Sequence, residues 1–144
     1  MVIRMRFPAV ILLAVVVCFA CERSSGVQSI CSLDPARIPF GKHIEIRALM
    51  ALAGGGYSQA LAGKECLRKF AFRIDGELPP ELLHQVKLAF KETERQDRQV
   101  AVEADMTVEL SKIDLGGVEL QPPMPGSAHI VSAKNFRLVT VNYN

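Results

Sequence analysis

The side chains best suited to chemistry in this sequence are a row of carboxylates, three histidines and a serine. Glu103, Asp105 and Glu109 alternate along one stretch, with Thr107 between them. On an extended strand such residues share a face, and those two positions apart sit roughly 6–7 Å from each other. That separation overlaps the spacing of paired carboxylates in glycoside hydrolysis. It is equally the solvated face of an amphipathic strand, which is the plainer reading. His43, His84 and His129 are widely separated and show none of the close spacings of zinc ligands. Ser127 and His129 are near neighbours, but no Gly-x-Ser-x-Gly elbow accompanies them, and a triad is defined by geometry. The sequence therefore assigns no catalytic residue, no metal site and no cofactor. An enzyme built on it would be a small hydrolase using His129 with Glu103 and Asp105.

Gly54–Lys64 invites a phosphate-loop reading, which the residues refuse. The pattern needs glycine five positions before Gly63, where Ser58 stands, and a hydroxyl after Lys64, where Glu65 stands. Nucleic acid is excluded on charge. Residues 1–20 carry Arg4 and Arg6, and without them the 17 basic side chains fall to 15 against 15 acidic ones. A neutral domain has no cluster of Lys and Arg with which to displace phosphate counterions.

The cysteines carry a different chemistry. Arg4 and Arg6 precede an almost unbroken apolar run, Phe7–Phe19, which small Ala20 and then Cys21 follow. A charged, then apolar, then small-residue order is that of a secretory signal. The run is too short to span a hydrocarbon core, which takes about twenty residues. Ala20-Cys21 resembles the processing site of bacterial lipoproteins, in which the cysteine receives diacylglycerol before the signal is removed. Ordinary signal-peptidase cleavage after Ala20 fits the same residues. Cys18 leaves with residues 1–20. If Cys21 is lipidated, Cys31 and Cys66 remain as an even pair for an oxidising compartment. A bridge between them would contribute about 4 kcal/mol in the chain-entropy model; two free buried thiols are the alternative.

The elements that would position these residues follow from periodicity. Residues 21–40 read as a polar tether and an irregular lead-in containing Pro35 and Pro39. Residues 41–144 read as the folded domain. Within it Ile44, Ile46, Ala48, Met50 and Leu52 alternate with His43, Glu45, Arg47, Leu49 and Ala51, which predicts a strand with one buried face. Tyr57–Leu61 and Cys66–Ile74 are two further strands. Pro79-Pro80 opens a helix over Glu81–Asp97, with Leu82, Leu83, Val86, Ala89, Phe90 and Thr93 on one stripe. Val100–Leu110 alternates again, with Ala101, Glu103, Asp105, Thr107 and Glu109 on the wet side. Ser111–Asn135 is expected to be a long connection, with a short strand at Val118–Leu120, and Phe136–Tyr143 to be the last strand.

The result is mainly β with one helix, in the order β-β-β-α-β-β, which resembles a five-stranded OB-like β-barrel over Lys42–Tyr143. The sequence is also similar to small bacterial envelope proteins of unknown function, through three features. These are the Gly41-Lys42 start of an alternating strand, the cysteine at Cys66, and Gly126–His129 ahead of the last strand. That resemblance implies the same barrel. In such barrels the loops after the first and fourth strands meet ligands, so contacts are expected at Tyr57, His129 and Phe136. The expectation is an exported, lipid-anchored envelope protein, held to the membrane by Cys21. It would act as a small binding module for an envelope protein or a small ligand. A periplasmic or secreted soluble domain, an envelope hydrolase and a purely structural lipoprotein are the alternatives.

Overall fold

The computed structural model describes residues 26–53 and 58–142. Six strands and one α-helix follow in order: β1 Gln28–Ser29, β2 His43–Ala53, β3 Ser58–Ala62, β4 Phe72–Asp75, α1 Pro80–Gln96, β5 Val100–Ser111 and β6 Ser127–Thr140. The sheet runs β2-β3-β4-β6-β5 and returns to β2, which closes a five-stranded barrel. β4 and β6 are parallel, and the other barrel pairs are antiparallel. With α1 between the third and fourth barrel strands, this is an OB-like β-barrel of mixed sheet, in the expected element order.

The barrel forms because β2 and β5 each alternate. Ile46, Ala48 and Met50 from β2 meet Val102, Ala104, Met106, Val108 and Leu110 from β5 in one core with Leu61, Phe72, Ala128 and Ile130. Burial of the Val, Leu, Ile, Phe and Met side chains among them stabilises by about 1.5–3 kcal/mol each. Closure removes the sheet edges that two such strands would otherwise expose. The helix plugs one end and packs against β5 and β6. Pro80 sits at its start, where a missing N–H costs nothing, and Asp97 ends it in the left-handed region at φ 49°. The Thr93 hydroxyl donates to the Ala89 carbonyl and accepts the Val100 N–H, tying the last turn to β5.

Several expected boundaries differ. The helical stripe is narrower than its sequence suggests: Leu82 and Ala89 are buried, whereas Leu83 and Phe90 are exposed at 38% and 48%. A barrel mouth accepts one narrow ridge of a helix and leaves the flanks in water. The third strand is confined to Phe72–Asp75. Ahead of it Cys66 closes a 3-10 turn over Lys64–Cys66, and Lys69 N–H bonds the Cys66 carbonyl. Val118–Leu120 is not a strand; the Val118 N–H closes a turn onto Leu115 across Gly116 and Gly117.

The largest difference is at the end of the chain. The connection after β5 spans only residues 112–126, and the last strand begins at Ser127 rather than Phe136. Near the start of the described residues, β1 adds to β2 in parallel, and Ile30 is fully buried in the core. The segment expected as a lead-in is therefore built into the fold from Gln28 onward. Cys21, Gly54–Gly56, Tyr57 and Tyr143 lie outside the described residues.

Candidate functional site

Three features of the lead-in and the β3–β4 connection meet at a disulfide. Cys31 and Cys66 are bonded, with their Cα atoms 5.6 Å apart, inside the ordinary range for such bridges. A Cβ placed on Gly63 would lie 2.0 Å from the Cys31 sulfur and 2.8 Å from the Cys66 sulfur. The bridge therefore packs directly on this glycine's backbone. It ties Ile30 and the lead-in to the barrel.

The polar architecture of the molecule is on the outer face of β2, β5 and β6. Asp105, expected on a wet face, is only 3% exposed. Its Oδ1 accepts from Arg47 Nε at 2.8 Å, and its Oδ2 accepts both from Arg47 Nη2 at 3.3 Å and from Asn135 Nδ2 at 2.9 Å. Three strands thus meet at one carboxylate. The hydrogen bonds from Arg47 hold the Asp105 carboxyl below the usual carboxylate range; burial opposes them and Asn135 adds to them. The same contact raises the Arg47 guanidinium above its ordinary value. Beside this bridge, Glu103 on β5 pairs with Arg137 on β6. Further along, His43 Nε2 lies 3.3 Å from Glu109 Oε2.

Asn135 reaches Asp105 because β6 carries two bulges. Between the pairs Glu103↔Arg137 and Asp105↔Lys134, β5 contributes one residue and β6 two, Asn135 and Phe136. Asn135 takes the left-handed conformation there, at φ 55°. Asn is among the few non-glycine residues that do so readily. A second irregularity places Val131 as an extra residue between Ile130 and Ser132. Two hollows flank the Arg47–Asp105–Asn135 bridge. One of about 330 Å³ is lined by Arg47, Asn135, Phe136 and Arg137. The other, about 230 Å³, runs past Val27, Glu45, Thr107, Ser132 and Lys134.

The residues singled out from sequence are dispersed by this fold. His129 is exposed near the start of β6, with Nδ1 3.3 Å from the Asp75 carbonyl, to which it can donate. Phe136 is half-buried against the core further along the same strand. They stand seven positions apart along the strand, roughly 20 Å, so they do not share a site. Glu103, Asp105 and Glu109 do share the outer face, yet each is held by a cation or a histidine from a neighbouring strand. Ser127 is buried, and His129 turns to the Asp75 carbonyl. The register sets His43, Glu109 and His129 in one cross-strand row. No three His, Cys, Asp or Glu side chains among the described residues are grouped to hold a metal ion.

Within the stretch Ser111–Asn135, expected as a connection that meets a ligand, residues 112–126 fold back on the barrel. Ala71 N–H bonds the Pro123 carbonyl, Arg73 N–H bonds the Gly126 carbonyl, and Met124 packs on the small side chains Ala60, Ala62 and Ala71. Sequence reading missed Arg47, Asn135 and Arg137. The available signal was Asn135 itself, a residue suited to left-handed backbone, within a stretch whose apolar positions follow no single period. No known protein family, curated protein or solved structure matches the chain. Among the described residues no helix is long and apolar enough to cross a membrane.

Proposed function

We propose that this chain is an exported, lipid-anchored envelope protein whose OB-like barrel serves as a small binding module. The observation that carries the reading is the Cys31–Cys66 bridge. A disulfide suits an oxidising compartment, and it uses two of the four cysteines in the sequence. Cys18 lies inside the apolar run that has the order of an export signal. Cys21 is then the one cysteine of the processed chain outside that bridge, directly after Ala20, where bacterial lipoproteins carry their acyl chain. A single acyl chain holds a protein only marginally to a membrane, whereas diacylglycerol supplies the two chains that stable anchoring needs.

The binding role, as against a hydrolase, is supported by the outer face of β2, β5 and β6. Glu103, Asp105 and Glu109 are paired with cations or a histidine, and the hydrogen bonds from Arg47 hold the Asp105 carboxyl below its ordinary range, away from the near-neutral value a general acid needs. His129 lies away from Glu103 and Asp105. The two hollows give this face a concavity that a purely structural lipoprotein has no need of.

The test is the intact mass of the protein recovered from its native membrane fraction, before and after reduction and alkylation. The expected mass lacks residues 1–20, carries a diacyl or triacyl increment, and gains two alkyl groups only after reduction. An unmodified mass beginning at Cys21, from a soluble fraction, would replace the anchored protein with a secreted domain.

A further inference from the structure

The geometry points to the hollow between Arg47 and Arg137 as a binding site for a small monocarboxylate that carries an apolar body. This deepens the binding-module reading and rests on it. The hollow is an open depression of about 330 Å³ lined by Arg47, Asn135, Phe136 and Arg137. Both guanidinium groups on its rim are anchored from behind. Arg47 spends Nε and Nη2 on Asp105, and Arg137 spends Nη2 on Glu103. Arginine has five N–H donors, so each retains donors for a ligand. Both side chains also remain open to solvent, at 47% and 62% exposure. Fixing the two forks before binding lowers the entropy lost when a carboxylate docks, and a planar carboxylate matches a guanidinium edge two bonds at a time.

Charge narrows the class of anion. Arg47 and Arg137 are balanced by Asp105 and Glu103, and Lys134 lines the other hollow together with Glu45, so the face carries no excess positive charge. A monoanion can take the spare N–H donors of the two forks at the least electrostatic cost. A dianion such as phosphate would meet two carboxylates with no positive charge in excess. Asn135 adds an amide held by Asp105, and the half-buried Phe136 gives the ligand's body an apolar wall.

The test is a titration of the full-length, isotope-labelled protein with benzoate, hexanoate and inorganic phosphate, followed by amide chemical shifts. Benzoate or hexanoate should give saturable shifts centred on Arg47 and residues 135–137, with phosphate at least about tenfold weaker, a difference near 1.4 kcal/mol. Arg137→Gln should weaken carboxylate binding about tenfold, with spectral changes in the free protein confined to the neighbourhood of Glu103, and Arg137→Lys, which keeps a cation beside Glu103, should restore part of the binding. Because Arg47→Gln also disturbs Asp105, Phe136→Leu serves as the second variant, weakening benzoate more than hexanoate. Phosphate binding as tight as benzoate, or saturable shifts elsewhere on the barrel, would overturn this site while leaving the binding module in place. No saturable shift with any of the three probes would overturn the site as well. The mass measurement tests the lipid anchor and the bridge independently.

Discussion

Asn135 donates its side-chain amide to the carboxylate of Asp105 at 2.9 Å, from a bulge in β6 where its own backbone is left-handed at φ 55°. The bond joins a backbone irregularity to a buried charge, and Arg47 completes it from β2. The outer face of three strands is organised around this contact.

Removing the Asn135 side chain should separate its two roles. Asn135→Gly loses the bond to Asp105 but keeps the backbone conformation at no steric cost. A hydrogen bond to a charged group contributes about 1.5–3 kcal/mol. Asn135→Ala loses the same bond and adds about 1–2 kcal/mol of left-handed strain. Denaturant melts should therefore rank wild type above Gly and Gly above Ala. Equal stability for the two variants would mean that the bulge relaxes.

Acid should weaken the barrel through Asp105. Its carboxyl is lowered in the folded state by Arg47 and Asn135, whereas the unfolded chain has the ordinary value of about 3.9. A lowered folded value makes the contribution complete above the unfolded value and loses it as pH falls through the folded one. Wild type should lose stability steeply below about pH 4. Asp105→Asn should start less stable by about 1–3 kcal/mol at pH 7 and show a shallower decline. Parallel curves for the two proteins would assign the acid sensitivity elsewhere.

The bridge and Gly63 should behave as one unit. Gly63→Ala forces the Cys31 sulfur away from a Cβ that would stand 2.0 Å from it, at a cost on the order of 1–3 kcal/mol for an overpacked site. Replacing both Cys31 and Cys66 by Ala should cost about 2–5 kcal/mol. In that background Gly63→Ala should cost clearly less than in the bridged protein, although Ile30 still lies near. Thermal melts of the four proteins form a double-mutant cycle, and strict additivity would argue against the coupling.

Helix α1 gives a test of which stripe holds it. Leu82 is fully buried in the barrel mouth, so Leu82→Ala should cost about 2–5 kcal/mol. Phe90, half-exposed at 48%, should tolerate Phe90→Gln within about 0.5 kcal/mol, as surface positions usually do. A large loss at Phe90 would show that the apolar flank of the helix is covered in solution.

Much of this protein could be read before its fold was known. The alternation of β2 and β5, the Pro79-Pro80 start of α1, and the parity of Cys31 and Cys66 are all local or countable signals. They led to the right element order and the right barrel. Position along a strand also put Glu103, Asp105 and Glu109 on one face, because side-chain direction repeats every two residues.

Tertiary structure alone decided the rest, for one recurring reason: a residue's environment is made by strands distant in sequence. Leu49 and Ala101 occupy outward positions, yet they are buried because Val141 and Leu67 cover that end of the barrel. Asp105 is outward and buried because Arg47, 58 residues earlier, and Asn135, 30 residues later, close over it. Phe136 and His129 looked like neighbours around a loop and are far apart on one strand. The stretch from Ser127 to Asn135 looked like a connection because two extra residues shift the phase of β6, and no single period survives a phase shift. Those bulges are set by pairing with β5 and by the Asp105 carboxylate. The sequence around residues 127–140 holds the residues for that strand, and only the closed barrel supplies the register that makes them one.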